Sequence, residues 1–287
     1  MTVTIAIGLS GCATGGRPRV VDRHVEPPTF EEVAAAHNER VGRLDRVWGR
    51  AVVELEYRDD KDRRQREQGE GHLQIRQPGD FALSIGKLGE TYAWLGADAE
   101  RFWFFDKFDE PRAVIGRHEN IGKPCAQSLG LPADPLLMID LMGIAPMDLT
   151  EAGSTSWSDD GRWIVASLFG RRTMELMYFD PKTMRPVRIE FDAPDGEAEI
   201  VSTLEQDEPV RQSDEGGFFP RMATRIEIYH PSSQTRVTLH LEQLQDGRTG
   251  RGKLSDAAFD FDSLRQAFGP KHIEVLDFDC DHPAIPQ

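Results

Sequence analysis

From Trp48 onward the chain is dominated by alternation of apolar and polar positions. Ala51, Val53, Leu55 and Tyr57 alternate with Arg50, Glu54, Glu56 and Arg58, which predicts a strand with one face in water. The charged run from Arg58 to Arg64 predicts a solvated hairpin tip. Leu73 and Ile75 continue the sheet, Pro78, Gly79 and Asp80 turn it, and Phe81, Leu83 and Ile85 alternate up to the loop Gly86, Lys87, Leu88, Gly89, Glu90. Tyr92 and Trp94 lead back down, and Gly96 to Asp98 turn again. Arg101 to Phe105 is apolar on both faces, so a helix should cover one side and the concavity of the sheet the other. Further strands are expected at Trp163 to Leu168, Thr173 to Phe179, Val187 to Phe191 and Ala198 to Leu204. A last hairpin places Ile226 and Ile228 opposite Val237, Leu239 and Leu241. About a dozen strands that are mostly sequential neighbours predict a mainly β fold with some helix, built on one strongly curved antiparallel sheet, a half-barrel with helices closing its concave side.

Two segments break the alternation. Thr29 and Glu32 have the spacing of a capping box, and Phe30, Val33, Ala34, His37, Val41, Leu44 and Val47 form one apolar stripe at helical spacing. Glu31, Glu39, Arg40 and Arg43 lie off that stripe, and His37 on it reads as a histidine satisfied at a packing edge. Later, Asp134 as cap, Pro135 at the first position and Gly143 past the end mark a short helix through Leu136 to Met142 that is apolar nearly all round. It serves equally as a core helix or as a lid over a ligand, for which the adaptable Met138 and Met142 are suited. Glu205 to Gly217 is acidic without apolar period and is expected to be a mobile loop.

Composition then narrows the function. The chain has 287 residues, 39% of them hydrophobic, enough for a sizeable core. With 49 acidic and 34 basic residues its net charge is -15, which argues against nucleic acid as a partner and against unaided residence on an anionic membrane. No apolar run reaches the roughly 18 to 20 residues of a spanning helix.

The N-terminus supplies the anchor that the charge demands. Val3 to Leu9 is apolar and ends in Leu9, Ser10, Gly11, Cys12, followed by the small residues Ala13 to Gly16. This resembles the lipobox of a bacterial lipoprotein signal peptide, in which the cysteine is freed at its amino side and acylated. The apolar segment is short and lacks Lys and Arg, and a start codon further upstream would account for both. The alternative is a buried first strand with a core cysteine. On the lipoprotein reading, residues 1–11 are a signal peptide, 12–28 a lipidated tether and 29–287 the folded domain. Cys125 and Cys280 then remain, and spacing does not choose between a disulfide and two free thiols.

No catalytic motif is present: the sequence lacks a nucleophile elbow, a His-Glu-x-x-His helix, a phosphate-binding glycine loop and a Cys-x-x-Cys pair. No cofactor is implied, and the acidic run Asp277 to His282 without a second cluster does not make a metal site. What remains unexplained is Leu88, an aliphatic residue at a turn tip where Gly, Asn, Asp or Ser belongs.

The order of lipobox, tether, amphipathic helix, Trp48-Gly49-Arg50 strand opening, antiparallel meander with a short apolar helix midway, and terminal Ala258 to Phe261 resembles the bacterial lipoprotein-localisation family, the periplasmic lipoprotein carrier and the outer-membrane lipoprotein receptor. The resemblance implies a half-barrel whose concave face holds acyl chains, with Leu83, Ile85, Trp94, Phe102, Phe104, Met138, Leu141 and Met142 as the candidates for facing them. In the receptor branch a leucine projects from a hairpin loop, usually within Pro-Leu-Gly. Lys87, Leu88 and Gly89 occupy that place here, which gives Leu88 and Gly89 a membrane-probing role and leaves lysine where proline is usual. The long second half is closer to the carrier. The residue after the lipidated cysteine, Ala13, is not the aspartate of inner-membrane retention, so the resemblance favours an outer-membrane, periplasm-facing monomer that handles acyl chains or lipoproteins.

Overall fold

The computed structural model describes residues 25–59, 61–108, 110–120, 135–150, 152–169, 174–192, 197–213 and 219–277. Helix α1 (Phe30–Val41) starts as its capping box requires: Thr29 Oγ1 accepts from Glu32 N at 3.3 Å and Thr29 N donates to Glu32 Oε2 at 2.9 Å. It ends earlier than the apolar stripe suggests, because Gly42 stops it, and Leu44 and Val47 continue the buried line from a turn and a strand.

Six strands then form an up-and-down meander: β1 (Arg46–Arg58), β2 (Arg64–Arg76), β3 (Asp80–Lys87), β4 (Glu90–Ala97), β5 (Arg101–Asp106) and β6 (Arg112–Arg117). A crossover carrying α2 (Pro135–Leu141) leads to the second wing. That wing comprises β7 (Ser154–Trp157), β8 (Ile164–Phe169), β9 (Met174–Phe179), β10 (Pro186–Asp192), β11 (Ala198–Pro209), β12 (Arg221–His230) and β13 (Thr235–Gln245). Helix α3 (Phe261–Phe268) and strand β14 (His272–Val275) complete the chain as described. All described strands belong to one 14-stranded sheet in the order β14, β6, β5, β4, β3, β2, β1, β13, β12, β11, β10, β9, β8, β7.

Three features depart from the sequence expectations. The long-range β1 to β13 pairing, with Val53 opposite Leu239, puts the first strand at the centre and joins the wings. Strand β14 runs parallel to β6, so the sheet is mixed rather than purely antiparallel. Strand β11 extends to Pro209, so the expected acidic loop begins as ordered strand paired with β12.

The sheet must curl. The Leu141 carbonyl, at the end of α2, accepts a hydrogen bond from Ser202 of β11 at 2.6 Å, while α2 also packs on β3 and β4. Strands β3 and β11 are five steps apart in the order, about 24 Å in a flat sheet at about 4.8 Å per step, whereas a helix as short as α2 spans about 10 Å. Curvature brings both wings around α1 and α2, and Leu73, Ile75, Phe81, Leu83, Phe179, Ile189, Ile226 and Leu239 form one continuous core with the helices. On the opposite face of β4 to β6, Trp103, Phe105, Ala113 and Ile115 are covered by Phe261 and Leu264 of α3. Strand β5 is therefore apolar on both faces because both are covered, with Phe102 inside and Trp103 and Phe105 outside.

Residues 25 and 28, at the end of the segment expected to be a tether, are hydrogen-bonded to the domain, and residues 12–24 of that segment lie outside the described residues. Trp157 Nε1 donates to Val25 O at 2.8 Å and Thr155 Oγ1 to Pro28 O at 2.6 Å, so the chain enters the domain along β7.

Candidate functional site

The concave side and one rim hold the features that chemistry could use. Inside, α2 and the segment after it are tied to α1 by polar contacts. Neutral His37 donates from Nε2 to Ala145 O at 2.8 Å, Asn38 Nδ2 donates to Met147 O and Asn38 Oδ1 accepts from Met147 N, both at 2.8 Å, and Arg40 Nη2 donates to Gly143 O. From the first wing, Gln77 Nε2 donates to Ile144 O at 2.8 Å. Gly143 sits in the left-handed region at φ +65°, and a Cβ there would lie 2.8 Å from Pro186 and 2.9 Å from Leu204, so only glycine lets the segment press against β10 and β11.

His37 is held neutral. Burial, then the positive charge of Arg40, lowers its pKa to about 3, against a smaller opposing effect of the Ala145 hydrogen bond. Arg40, placed off the apolar stripe by sequence, is instead partly buried, and burial is the main cause that lowers its pKa to about 10.

The structure gathers most of the expected ligand-facing residues. Leu83, Phe102, Met138, Leu141 and Met142 lie buried in the core between sheet and helices, with Ile85 and Phe104 packed against it. Trp94 does not join them. Its strand partner is Ser84, whereas Leu83 pairs with Leu95, and cross-strand partners share a face, so Trp94 points outward to Phe268 of α3 at 6.3 Å between ring centroids. The inner face is filled by the chain's own side chains, with Leu141 and Ile144 fully buried and Met142 nearly so.

The rim carries the second feature. Lys87 pairs with Glu90, leaving Leu88 and Gly89 as a two-residue turn with φ of 56° and 86°. Two positive values define the I′ hairpin turn, which favours Asn or Asp followed by Gly. Leu88 is 97% exposed. A bulge between Ile85 and Gly86, opposite Thr91 and Ala93, redirects the hairpin just below its tip. The neighbouring β5 to β6 hairpin opens at the same end of the sheet and presents Phe108, 60% exposed and stacked on Tyr92 at 5.9 Å. Phe108 was not singled out from sequence, although it continues a run of aromatics into a turn.

Cys12, Cys125 and Cys280 lie outside the described residues. Asp277, the described member of the acidic C-terminal run, accepts from Arg117 N at 2.8 Å and Asn120 Nδ2 at 2.6 Å, so its carboxylate is occupied by the β6 end.

No protein-family model matches the chain, and no curated protein matches it. Solved structures do. A LolA superfamily protein from Nitrosomonas europaea superposes with a TM-score of 0.52 at 14% identity, covering 82% of this chain and 99% of that one. A provisionally named outer membrane lipoprotein-sorting protein domain from Vibrio parahaemolyticus gives 0.55 at 10% identity, with the same coverage of 82% and 99%. A DUF1329 family protein from Desulfovibrio piger gives 0.53 at 9% identity, covering 82% of this chain and 98% of that one. The chain has the LolA fold. At these identities the likeness is one of architecture. Within the LolA fold of this chain, seven of the eight expected ligand-facing residues converge on the concave side, and Leu88 stands free at the rim.

Proposed function

We propose that this chain is an envelope lipoprotein, anchored through acylated Cys12 to the outer membrane and facing the periplasm, whose half-barrel takes up acyl chains and passes lipoproteins or lipids to the membrane. The observation that carries the reading is Leu88: the chain holds an aliphatic residue in a conformation that disfavours it and leaves it almost wholly in solvent. Such a residue gains nothing from the fold and gains about 1.5–3 kcal/mol on entering an apolar phase. Phe108 and Tyr92 on the same rim add an aromatic pair suited to the membrane interface. The LolA fold supports the acyl-binding half of the reading, since it places an apolar concave face under a helical cover.

A transfer assay tests the proposal. Full-length Cys12→Ala protein, loaded with a fluorescent lipopeptide, is mixed with vesicles that carry a quencher. Leu88→Glu should fold normally and transfer at least tenfold more slowly, since tenfold corresponds to about 1.4 kcal/mol. Unchanged transfer would remove Leu88 from the mechanism, and a large loss of thermal stability would place it in the core.

A second reading is favoured by the filled interior: an interaction lipoprotein whose barrel is closed by its own α1 and α2. The two differ in whether the segment from Met138 to Met147 yields to a lipid. The polar ties from His37, Asn38, Arg40 and Gln77 fall on residues 143–147, after α2, while α2 itself receives the Ser202 hydrogen bond at its last turn, which supports a cover whose helix can be displaced.

A further inference from the structure

Next to the helical cover the structure concentrates positive charge in an otherwise acidic chain. Arg40 in the last turn of α1, Arg185 between β9 and β10, and Arg221 at the start of β12 come together at Asp207 of β11. Arg185 Nη1 lies 2.7 Å from Asp207 Oδ2. Arg221 Nη2 donates to the Asp207 backbone carbonyl, and Arg40 Nη1 donates to the Arg221 carbonyl at 3.1 Å, so these two guanidinium groups spend their contacts on neutral oxygens. The charged groups acting on Arg40 are Asp207, which favours its charged form, and Arg185, which opposes it. Arg40 and Arg185 thus share the Asp207 carboxylate, and Arg221 is held at the backbone of the same residue.

Hydrogen bonding is left incomplete in the same place. Arg40 Nε is buried without a hydrogen-bond partner among the described residues, and Arg185 Nη1 has the Asp207 carboxylate as its contact. A buried donor without a partner costs about 1–3 kcal/mol, and Arg40 Nε lies where two guanidinium groups draw on the Asp207 carboxylate, an arrangement that favours a further acceptor anion. Its position says what kind. Pro186, next to Arg185, and Leu204, a few residues before Asp207, are the two side chains against which Gly143 of the cover is pressed, and Leu204 belongs to the apolar core. The cationic cluster therefore meets the apolar interior at the edge of the cover.

We propose that Arg40, Arg185 and Arg221 bind the anionic group of an amphiphile, a carboxylate or phosphate, whose acyl chain enters beside Gly143 and Leu204. This rests on the acyl-binding reading above and names its ligand class. Arginine suits the role because its planar fork meets carboxylate and phosphate oxygens two at a time. Asp207 then acts as the internal counter-ion that the ligand displaces from Arg185.

The test uses full-length Cys12→Ala protein and one pair of probes with the same tail, a fluorescent long-chain fatty acid and its methyl ester, together with inorganic phosphate measured separately by calorimetry. The wild type should bind the acid at least tenfold more tightly than the ester. Arg185→Gln should bring that ratio close to one without changing ester affinity, Arg185→Lys should give an intermediate ratio, and Asp207→Asn should raise it. Equal affinities in the wild type, or a ratio that survives in Arg185→Gln, overturns the proposal. If neither lipid binds while phosphate does, in an Arg185-dependent way, the anion site stands as a phosphate site and the acyl-binding reading falls. If neither the lipids nor phosphate bind, both fall.

Discussion

A leucine in the left-handed region costs about 1 kcal/mol relative to a residue at ease there, and Leu88 bears that cost at φ 56° while packing against nothing. Leu88→Asn supplies the residue that an I′ turn prefers, so it should raise the unfolding free energy by about 1 kcal/mol in urea titrations. The same variant should slow lipid transfer to vesicles. Opposite signs for stability and function would mark the leucine as retained for what it touches outside the protein, whereas a loss of stability in Leu88→Asn would mean that it packs within it. Leu88 and its turn were legible in the sequence because the anomaly is local: four residues fix the turn and one of them does not belong. The outward face of Trp94 was not. It follows from the Ser84 to Trp94 register, and β5 next to it is apolar on both sides, so no alternation of polar residues betrays which face is inner.

Among the elements, α1 is the one that holds the cover, and His37 makes that hold depend on pH. Its pKa is lowered from the ordinary 6.5 to about 3 in the folded protein, so the unfolded chain binds the proton more readily. The stability contributed by the neutral imidazole is complete above pH 6.5 and is lost as pH falls from there toward 3. By pH 5 the loss should be about 2 kcal/mol. Comparison of urea midpoints at pH 7 and pH 5 should show this drop in the wild type and much less of it in His37→Gln, which keeps a donor for Ala145. An equal drop in both would assign the acid sensitivity to other groups. The start of α1 was legible from Thr29 and Glu32, and the end of α2 from Gly143. Helix α3 left a signal that went unread: Asp260 Oδ1 accepts from Ser263 N at 2.8 Å and Gly269 closes the helix at φ +59°, around Phe261, Leu264 and Phe268 at helical spacing. Strands β7 and β14 had no such signal. Ser154–Trp157 and His272–Val275 are short and mostly polar edge pieces whose pairing is decided by the neighbours, β8 and β6.

At the scale of the whole molecule, the meander could be read from alternation and turns, but the closure could not. Joining β1 to β13 links residues nearly two hundred positions apart, as in Val53 to Leu239, and neither strand announces its partner. The cluster of Arg40, Arg185 and Arg221 with Asp207 is of the same kind, assembled by curvature from separate segments of an acidic sequence. What the assembled molecule presents is an apolar concave face under a short helix, polar ties to the segment that follows that helix, and an exposed leucine at the rim. The central claim is that this interior exchanges its own cover for an acyl chain. Titration of full-length Cys12→Ala protein with a fluorescent fatty acid measures it most directly. The account predicts saturable uptake at about one chain per protein, accompanied by faster amide exchange in residues 138–147; no saturable uptake, with exchange in that segment unchanged at the highest ligand concentration, would contradict it and leave the self-filled barrel.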